Sequence, residues 1–134
     1  MEDISLYKAR ISVLWILEAL AYLAYLGFMI MAPGMISAVG TGTINGTPVD
    51  FAVLVFAILL TIIFVMALAT LTLKDRINRW ANVVAGAVYA VLEFIALLGV
   101  LSNPFAGIIL MSALKVIIGA LISVLAFRWP SAAS

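Results

Sequence analysis

The chain contains no cysteine and no histidine. Without cysteine it has no disulfides, no thiolate nucleophile and no thiolate ligands for zinc or iron–sulfur clusters. Without histidine it lacks the commonest general base, the commonest metal ligand and any Ser–His–Asp triad. These absences predict no metal site and no bound cofactor, and they argue against an enzyme.

Charge is also scarce, since only 10% of the 134 residues are charged whereas 67% are hydrophobic. The mean hydropathy is +1.33. A soluble domain is about half apolar and about a quarter charged, so this composition is that of a membrane protein. The net charge is +1, and no basic stripe with interspersed aromatic residues is present, so nucleic-acid binding is not predicted.

Four apolar runs are each long enough to cross a bilayer core, which takes roughly 20 helical residues. They span about residues 11–32, 51–73, 80–101 and 105–127. The first run is too long for the apolar part of a signal peptide, so it is expected to be a membrane anchor. The sequence therefore predicts an all-α polytopic membrane protein, a single domain over residues 1–134 with four transmembrane helices in an antiparallel bundle.

The breaks between the runs carry helix-stop and turn signals. Pro33-Gly34 is expected to end the first helix. Asp50, Asn78 and Asn103 are expected to cap the N-termini of the next three. In the long loop over residues 33–49, Asn45-Gly46 between β-tolerant residues predicts a small β-hairpin in the first external loop.

The basic residues predict an orientation. Of the seven lysines and arginines, all except Lys115 lie at one end of the predicted bundle: Lys8, Arg10, Lys74, Arg76, Arg79 and Arg128. Cytoplasmic loops carry the excess of such residues, so both termini are expected in the cytoplasm. An even number of spans agrees with this, and a multi-pass protein of the plasma membrane is expected.

Glu18, Glu93 and Lys115 are the ionisable acids and bases inside the apolar runs. A charge at mid-bilayer costs roughly 2.5–3.5 kcal/mol on insertion scales, so these side chains are not expected to face lipid. Glu93 and Lys115 each lie about 20 Å from the basic end of their helices. Because a short loop makes these helices neighbours, the sequence predicts a buried Glu93–Lys115 ion pair.

Helical periodicity places other polar side chains on the same faces as these charges. The candidate ligand or proton site comprises Glu18, Tyr22, Tyr25, Tyr89, Glu93 and Lys115. Two acids and one amine leave one negative charge, and desolvation disfavours a charged carboxyl. We therefore expect one acid, Glu18 rather than Glu93, to hold a proton near neutral pH. The second run offers only Thr61 near its middle and is expected to be a packing wall.

Three functions are compatible with these residues. The first is a structural or accessory bundle that associates with itself or with a larger membrane complex, because Gly86 with Ala90 and Gly119 with Ser123 form small-residue seams. The alternative is a proton-coupled carrier or a small-molecule-binding membrane protein that uses the buried charges. A lipid enzyme ranks lowest; its phosphate would lie at a polar corner of Arg79 and Asn82 on the cytoplasmic face.

The segment Asn78-Arg79-Trp80-Ala81-Asn82-Val83-Val84-Ala85-Gly86 resembles the signature of a small uncharacterised prokaryotic family. Members of that family have four predicted spans and an NRWANIIAG-like stretch after the second. The resemblance implies the same fold and topology but no activity. The second span of that family often carries a Glu, whereas the matching region here, residues 60–63, carries none.

Overall fold

A computed structural model of the chain describes residues 3–103 and 105–130. The described part forms five helices and one two-stranded sheet. The helices are α1 (Ile4–Met31), α2 (Met35–Gly40), α3 (Val49–Thr72), α4 (Asp75–Val100) and α5 (Ala106–Phe127), and the strands are β1 (Thr43–Ile44) and β2 (Thr47–Pro48). This confirms the predicted all-α fold with a small hairpin in its first long loop.

Within the described residues, four helices (α1, α3, α4 and α5) are long and apolar enough to cross a membrane. Their outward faces carry large apolar side chains, among them Leu20, Leu23, Val53, Phe64, Val91, Leu110 and Leu121. Contiguous apolar surface of this extent is foreign to soluble monomers and suits contact with lipid. The fold is that of a small multi-pass membrane protein.

The four long helices form an antiparallel bundle, because short links join α3 to α4 and α4 to α5. Helix α1 packs against both α3 and α5, and α5 packs extensively against α4. Helices α3 and α4 touch only sparsely. Side chains from α1 and α4 instead meet across the centre of the bundle, where Trp15 contacts Tyr89.

The close approach of α4 and α5 depends on two glycines. A Cβ atom at Gly86 would lie 2.8 Å from the backbone nitrogen of Ser123 and 2.9 Å from the carbonyl oxygen of Gly119. A Cβ atom at Gly119 would in turn lie 3.0 Å from the backbone nitrogen of Ala90. The predicted small-residue seams are therefore confirmed, and they join two helices of the same chain.

The helices extend beyond the predicted apolar runs at the end of the bundle that carries Lys8, Lys74, Arg76, Arg79 and Arg128, called here the basic end. Helix α1 begins at Ile4 rather than near residue 11, because the Asp3 side chain caps it by accepting a hydrogen bond from the Ser5 amide at 3.0 Å. The Lys8 ammonium pairs with the Asp75 carboxylate at 2.9 Å and also donates to the Leu73 carbonyl at 3.0 Å. Polar pairing of this kind keeps these turns helical outside the apolar run.

The three predicted caps are wrong. Asp50 lies in the first turn of α3, whose N-cap is Pro48. Asn78 lies inside α4, which starts three residues earlier. Asn103 accepts a hydrogen bond from the Phe105 amide at 2.8 Å and so forms a turn before α5 instead of capping it. In each case the N-cap lies two to four residues from the predicted capping residue.

The predicted hairpin is present at the opposite end of the bundle. Strands β1 and β2 pair antiparallel, with Ile44 opposite Thr47. Asn45 (φ 49°) and Gly46 (φ 80°) form the connection. Two consecutive residues at positive φ are what a two-residue hairpin loop requires, and Asn-Gly tolerates them best.

Candidate functional site

The predicted ion pair lies in the centre of the bundle. The ammonium nitrogen of Lys115 on α5 is 2.6 Å from a carboxylate oxygen of Glu93 on α4. Only 2% of Lys115 and 4% of Glu93 are exposed. Each charge is thus neutralised by the other in a dry interior, where either alone would be strongly unfavourable.

Two tyrosines of α1 pack against the ammonium of this pair. The nitrogen of Lys115 lies 4.3 Å from the ring centre of Tyr22 and 4.1 Å from that of Tyr25. Both distances are within the range of a cation–π interaction, which is stronger when the cation is desolvated. Together, Glu93, Tyr22 and Tyr25 form an anionic and aromatic cage around one ammonium group.

Glu18 is the third charged residue predicted for the centre, and it differs from the other two. Its exposed fraction is 0%. Neither carboxyl oxygen accepts a hydrogen bond from any residue within 3–103 and 105–130. It nevertheless lies close enough to Glu93 and Lys115 to interact electrostatically with both. The structure therefore brings the three predicted groups together, with one carboxyl left over.

Tyr89 connects this centre to α3. Its hydroxyl donates a hydrogen bond of 2.6 Å to the Leu59 carbonyl, and its ring packs edge-on against Trp15 with 5.6 Å between centres. Helix α3 therefore contributes a backbone carbonyl, and not a side chain, to this centre. Thr61, which was expected to be its polar group, lies on the exposed face and donates to the Ala57 carbonyl of its own helix.

A second buried polar cluster lies nearer the basic end and is centred on Asn82. Its Oδ1 atom accepts hydrogen bonds from the Trp15 indole at 2.6 Å and from the Thr70 hydroxyl at 3.0 Å. Its amide donates to Oδ1 of Asn78 at 2.7 Å, and Asn78 donates to the Thr70 carbonyl at 2.6 Å. This network joins α1, α3 and α4, and each of its amides is satisfied.

The expected polar corner of Arg79 and Asn82 divides between two environments. Asn82 points inward and belongs to the network just described. Arg79 instead donates a hydrogen bond of 2.8 Å from Nη2 to the Phe127 carbonyl at the end of α5, and its guanidinium lies 5.8 Å from the Trp80 ring. The two side chains do not converge on one ligand position.

Sequence reasoning did not predict the full burial of Thr70, or of Asn78, which was expected to cap a helix. Ser112, which shares a helical face with Lys115, is fully buried as well. Ser112 lies one helical turn before Lys115, and its hydroxyl has no partner among the described residues. Ser12 is also buried and donates to the Ala67 carbonyl at 2.9 Å. Because these side chains are small and neutral, they leave the apolar runs nearly uninterrupted, so only their helical spacing from Trp15, Asn82 and Lys115 could have indicated them.

An apolar groove of about 540 Å³ lies beside the charged centre, between α1 and α3 and beneath α2 and the hairpin. It is called here the α1–α3 groove, and no charged side chain of the described chain lines it. Its lining includes Leu26, Met29, Ile36, Ala57 and Leu60, together with Phe56. The Phe56 ring meets Tyr22 edge-on with 5.6 Å between centres. Phe56 thus lines the groove on one side and contacts Tyr22, a member of the cage around Lys115, on the other.

Comparison with known proteins finds no matching family model, no matching curated protein and no matching solved structure. The resemblance to the prokaryotic four-span family therefore stays a prediction. Function has to be argued from the geometry of the chain itself.

Proposed function

We propose that this chain is a small proton-coupled membrane carrier in which Glu18 binds and releases a proton inside the bundle. The observation that carries the proposal is the fully buried Glu18 carboxyl, which accepts no hydrogen bond in the described part of the chain. Ionisable groups inside a membrane bundle are costly and characteristically lie on ion or proton pathways.

A structural role accounts for Glu93 and Lys115 but not for Glu18. The ion pair alone could fix the register of α4 against α5, and its charges already cancel. A further ionised carboxylate beside it would be uncompensated in a low-dielectric interior. Glu18 therefore carries a proton in this arrangement, and a buried carboxyl that can lose such a proton is what a proton-coupled carrier requires.

Release of the proton changes which helix holds Lys115. An ionised Glu18 on α1 competes with Glu93 on α4 for the single ammonium on α5. Helix α5 packs against both α1 and α4, so a shift of Lys115 between the two carboxylates alters how these helices are joined. Coupling between proton occupancy and helix packing is the minimum that a carrier requires.

Carbodiimide labelling tests whether Glu18 is protonated. Dicyclohexylcarbodiimide is apolar, and it adds to a protonated carboxyl in an apolar environment to form a stable acylurea. With protein in lipid nanodiscs at neutral pH, we expect peptide mass spectrometry to find the label on Glu18 and not on Glu93. Labelling is expected to disappear in Glu18→Gln and to persist at Glu18 in the double variant Glu93→Gln with Lys115→Met, which removes both charges of the ion pair.

The wild-type labelling pattern distinguishes the two acids. Labelling of Glu93 in the wild-type protein would show that the ion pair, and not Glu18, holds the proton. A Glu18 label that is absent at neutral pH and appears when the pH is lowered would mean that Glu18 is ionised at neutral pH. Either result contradicts the proposal.

Association of the chain with itself or with a larger complex remains a second prediction, but its motivation is weaker. The small-residue seam that suggested it is occupied within the chain, because Gly86 and Gly119 face each other across α4 and α5. The carrier is therefore the function that the geometry supports better.

We also propose that the protein lies in the plasma membrane with both termini in the cytoplasm, as the clustering of Lys8, Lys74, Arg76, Arg79 and Arg128 at one end favours. Because the natural chain lacks cysteine, single cysteines report orientation without background. In intact cells, a membrane-impermeant maleimide is expected to label Thr47→Cys in the hairpin but not Thr72→Cys at the basic end. The reverse pattern would show the opposite orientation.

A further inference from the structure

We propose that the Glu18 centre exchanges its proton for an apolar organic monocation, such as an arylalkyl ammonium, which enters from the bilayer through the α1–α3 groove. This inference rests on the proposed proton-binding role of Glu18 and names the class of cargo that would share the site. It is argued from two neighbouring features: the tyrosine rings beside the carboxyl groups and the adjacent apolar groove.

Charge balance decides the sign and the valence of the cargo. Glu18, Glu93 and Lys115 together bear one net negative charge when Glu18 is ionised. A single positive charge, either a proton or a monovalent cation, restores neutrality in a dry interior. An anion would raise the net charge to two negatives, and a divalent cation would leave one positive charge uncompensated.

The chemistry of the cage favours an organic ammonium over a metal ion. Tyr22 and Tyr25 already hold an ammonium group, that of Lys115, within 4.3 Å of their ring centres. Recognition of ammonium ligands by tyrosine faces beside a carboxylate follows the same physics. Because Glu93 neutralises Lys115 at 2.6 Å, the lysine adds little net repulsion against a second cation near Glu18.

The α1–α3 groove provides room for an apolar body. Its volume of about 540 Å³ lies within the range of pockets that hold small organic ligands, and its lining lacks charged side chains among the residues described. A second groove between α3 and α4 is lined partly by Arg76, whose charge would repel a cation. The α1–α3 groove is therefore favoured, because its described lining has no positive charge that would repel a cation.

The pair of Tyr22 and Phe56 lies between the groove and the carboxyls. Phe56 lines the groove, and its ring meets Tyr22 at 5.6 Å. Tyr22 in turn contacts the Lys115 ammonium and lies within electrostatic range of Glu18. A rotation of these two rings would bring the head of a cation in the groove into contact with the carboxyl centre. The exchange breaks no covalent bond: one cation enters and one proton leaves.

Proton release on ligand binding tests the exchange. The probe is phenylbutyltrimethylammonium, because a quaternary ammonium has no titratable proton of its own. In weakly buffered nanodiscs near neutral pH, we expect about one proton released per probe bound, by calorimetry and a pH indicator read in parallel. Its uncharged carbon isostere, with a tert-butyl head, is expected to release none.

Two matched variants test whether the probe binds in the α1–α3 groove or elsewhere on the surface. Ala57→Phe fills the α1–α3 groove, whereas Ala81→Phe fills the groove between α3 and α4. We expect Ala57→Phe to weaken probe binding by roughly tenfold or more while carbodiimide labelling of Glu18 persists. Ala81→Phe is expected to change neither, and Glu18→Gln is expected to abolish both proton release and labelling.

The outcomes distinguish this inference from the proposed function. Labelling of Glu18 without probe binding or proton release would contradict the proposed cargo but not the proposed proton site. Equal binding of probe and isostere without proton release would show that the groove holds apolar chains such as lipid tails, which also overturns the inference. A Glu18 label that appears only when the pH is lowered below neutral would contradict the proton site itself, and the exchange with it.

Discussion

Lys115→Met is expected to destabilise the bundle by about 3–5 kcal/mol at neutral pH. The lysine is 2% exposed, and it is the cation that lies 2.6 Å from Glu93. Its removal leaves two carboxyl groups in the dry centre with no positive charge between them. The loss is largest when one partner of a buried pair is removed and the other stays, because the remaining charge is then uncompensated.

A double variant separates loss of pairing from loss of packing. Lys115→Met with Glu93→Leu removes both charges and is expected to recover most of the lost stability. The free energy of unfolding is measured by reversible unfolding in mixed micelles. Lys8→Met is the matched control, because its pair with Asp75 is partly exposed and is expected to contribute at most about 1 kcal/mol. A double variant no more stable than Lys115→Met would contradict the pairing.

Gly86→Ala is expected to be the second most disruptive small change, at about 1–3 kcal/mol. The added Cβ atom would lie 2.8 Å from one backbone atom of α5 and 2.9 Å from another. Backbone cannot rotate away as a side chain can, so α4 and α5 have to move apart. That movement also disturbs the geometry of Glu93 and Lys115, which these two helices hold together.

Gly99→Ala is the matched control on the same helix. Apart from its chain neighbours and the backbone of its own helix, no atom of the described residues lies within 4 Å of a Cβ placed there, and alanine is a better helix former than glycine. Gly99→Ala is therefore expected to be neutral or stabilising by up to about 1 kcal/mol. The free energy of unfolding of both variants is measured under the same conditions. Equal stability of the two would contradict close packing of α4 on α5.

The central ion pair could be predicted from sequence because few arrangements are possible for it. Glu93 and Lys115 interrupt otherwise apolar runs, so neither can face lipid at acceptable cost. The short link between their helices makes them neighbours, and equal depth makes them meet. A similar constraint predicts the hairpin, since Asn45-Gly46 suits a loop with two positive φ angles.

The neutral polar contacts could not be predicted in the same way. Asn78 was expected to be a helix cap, yet it lies one turn inside α4 and bonds to Asn82 and to the Thr70 carbonyl. The Leu59 carbonyl that accepts from Tyr89 leaves no trace in sequence, because every residue has a carbonyl. Such contacts depend on the rotation of each helix about its axis, which a nearly uniform apolar pattern does not fix.

The isolation of Glu18 also required a structure. Sequence established that one carboxyl is in excess, and the helical faces placed it near the others. Whether Ser112, a tyrosine hydroxyl or a backbone amide would donate to it depends on side-chain positions. In the described chain none does, and the proposal that Glu18 binds a proton is argued from this result.

Infrared spectroscopy of the carboxyl groups tests the central claim most directly. A protonated carboxylic acid in an apolar interior has a C=O stretching band that ionised carboxylates lack, and the band shifts to lower frequency when hydrogen is exchanged for deuterium. At neutral pH we predict one such band that is lost in Glu18→Gln and retained in the double variant Glu93→Gln with Lys115→Met, which removes both charges of the ion pair. A spectrum without the band, or one in which the double variant also lacks it, would contradict a protonated Glu18 beside an intact Glu93–Lys115 pair.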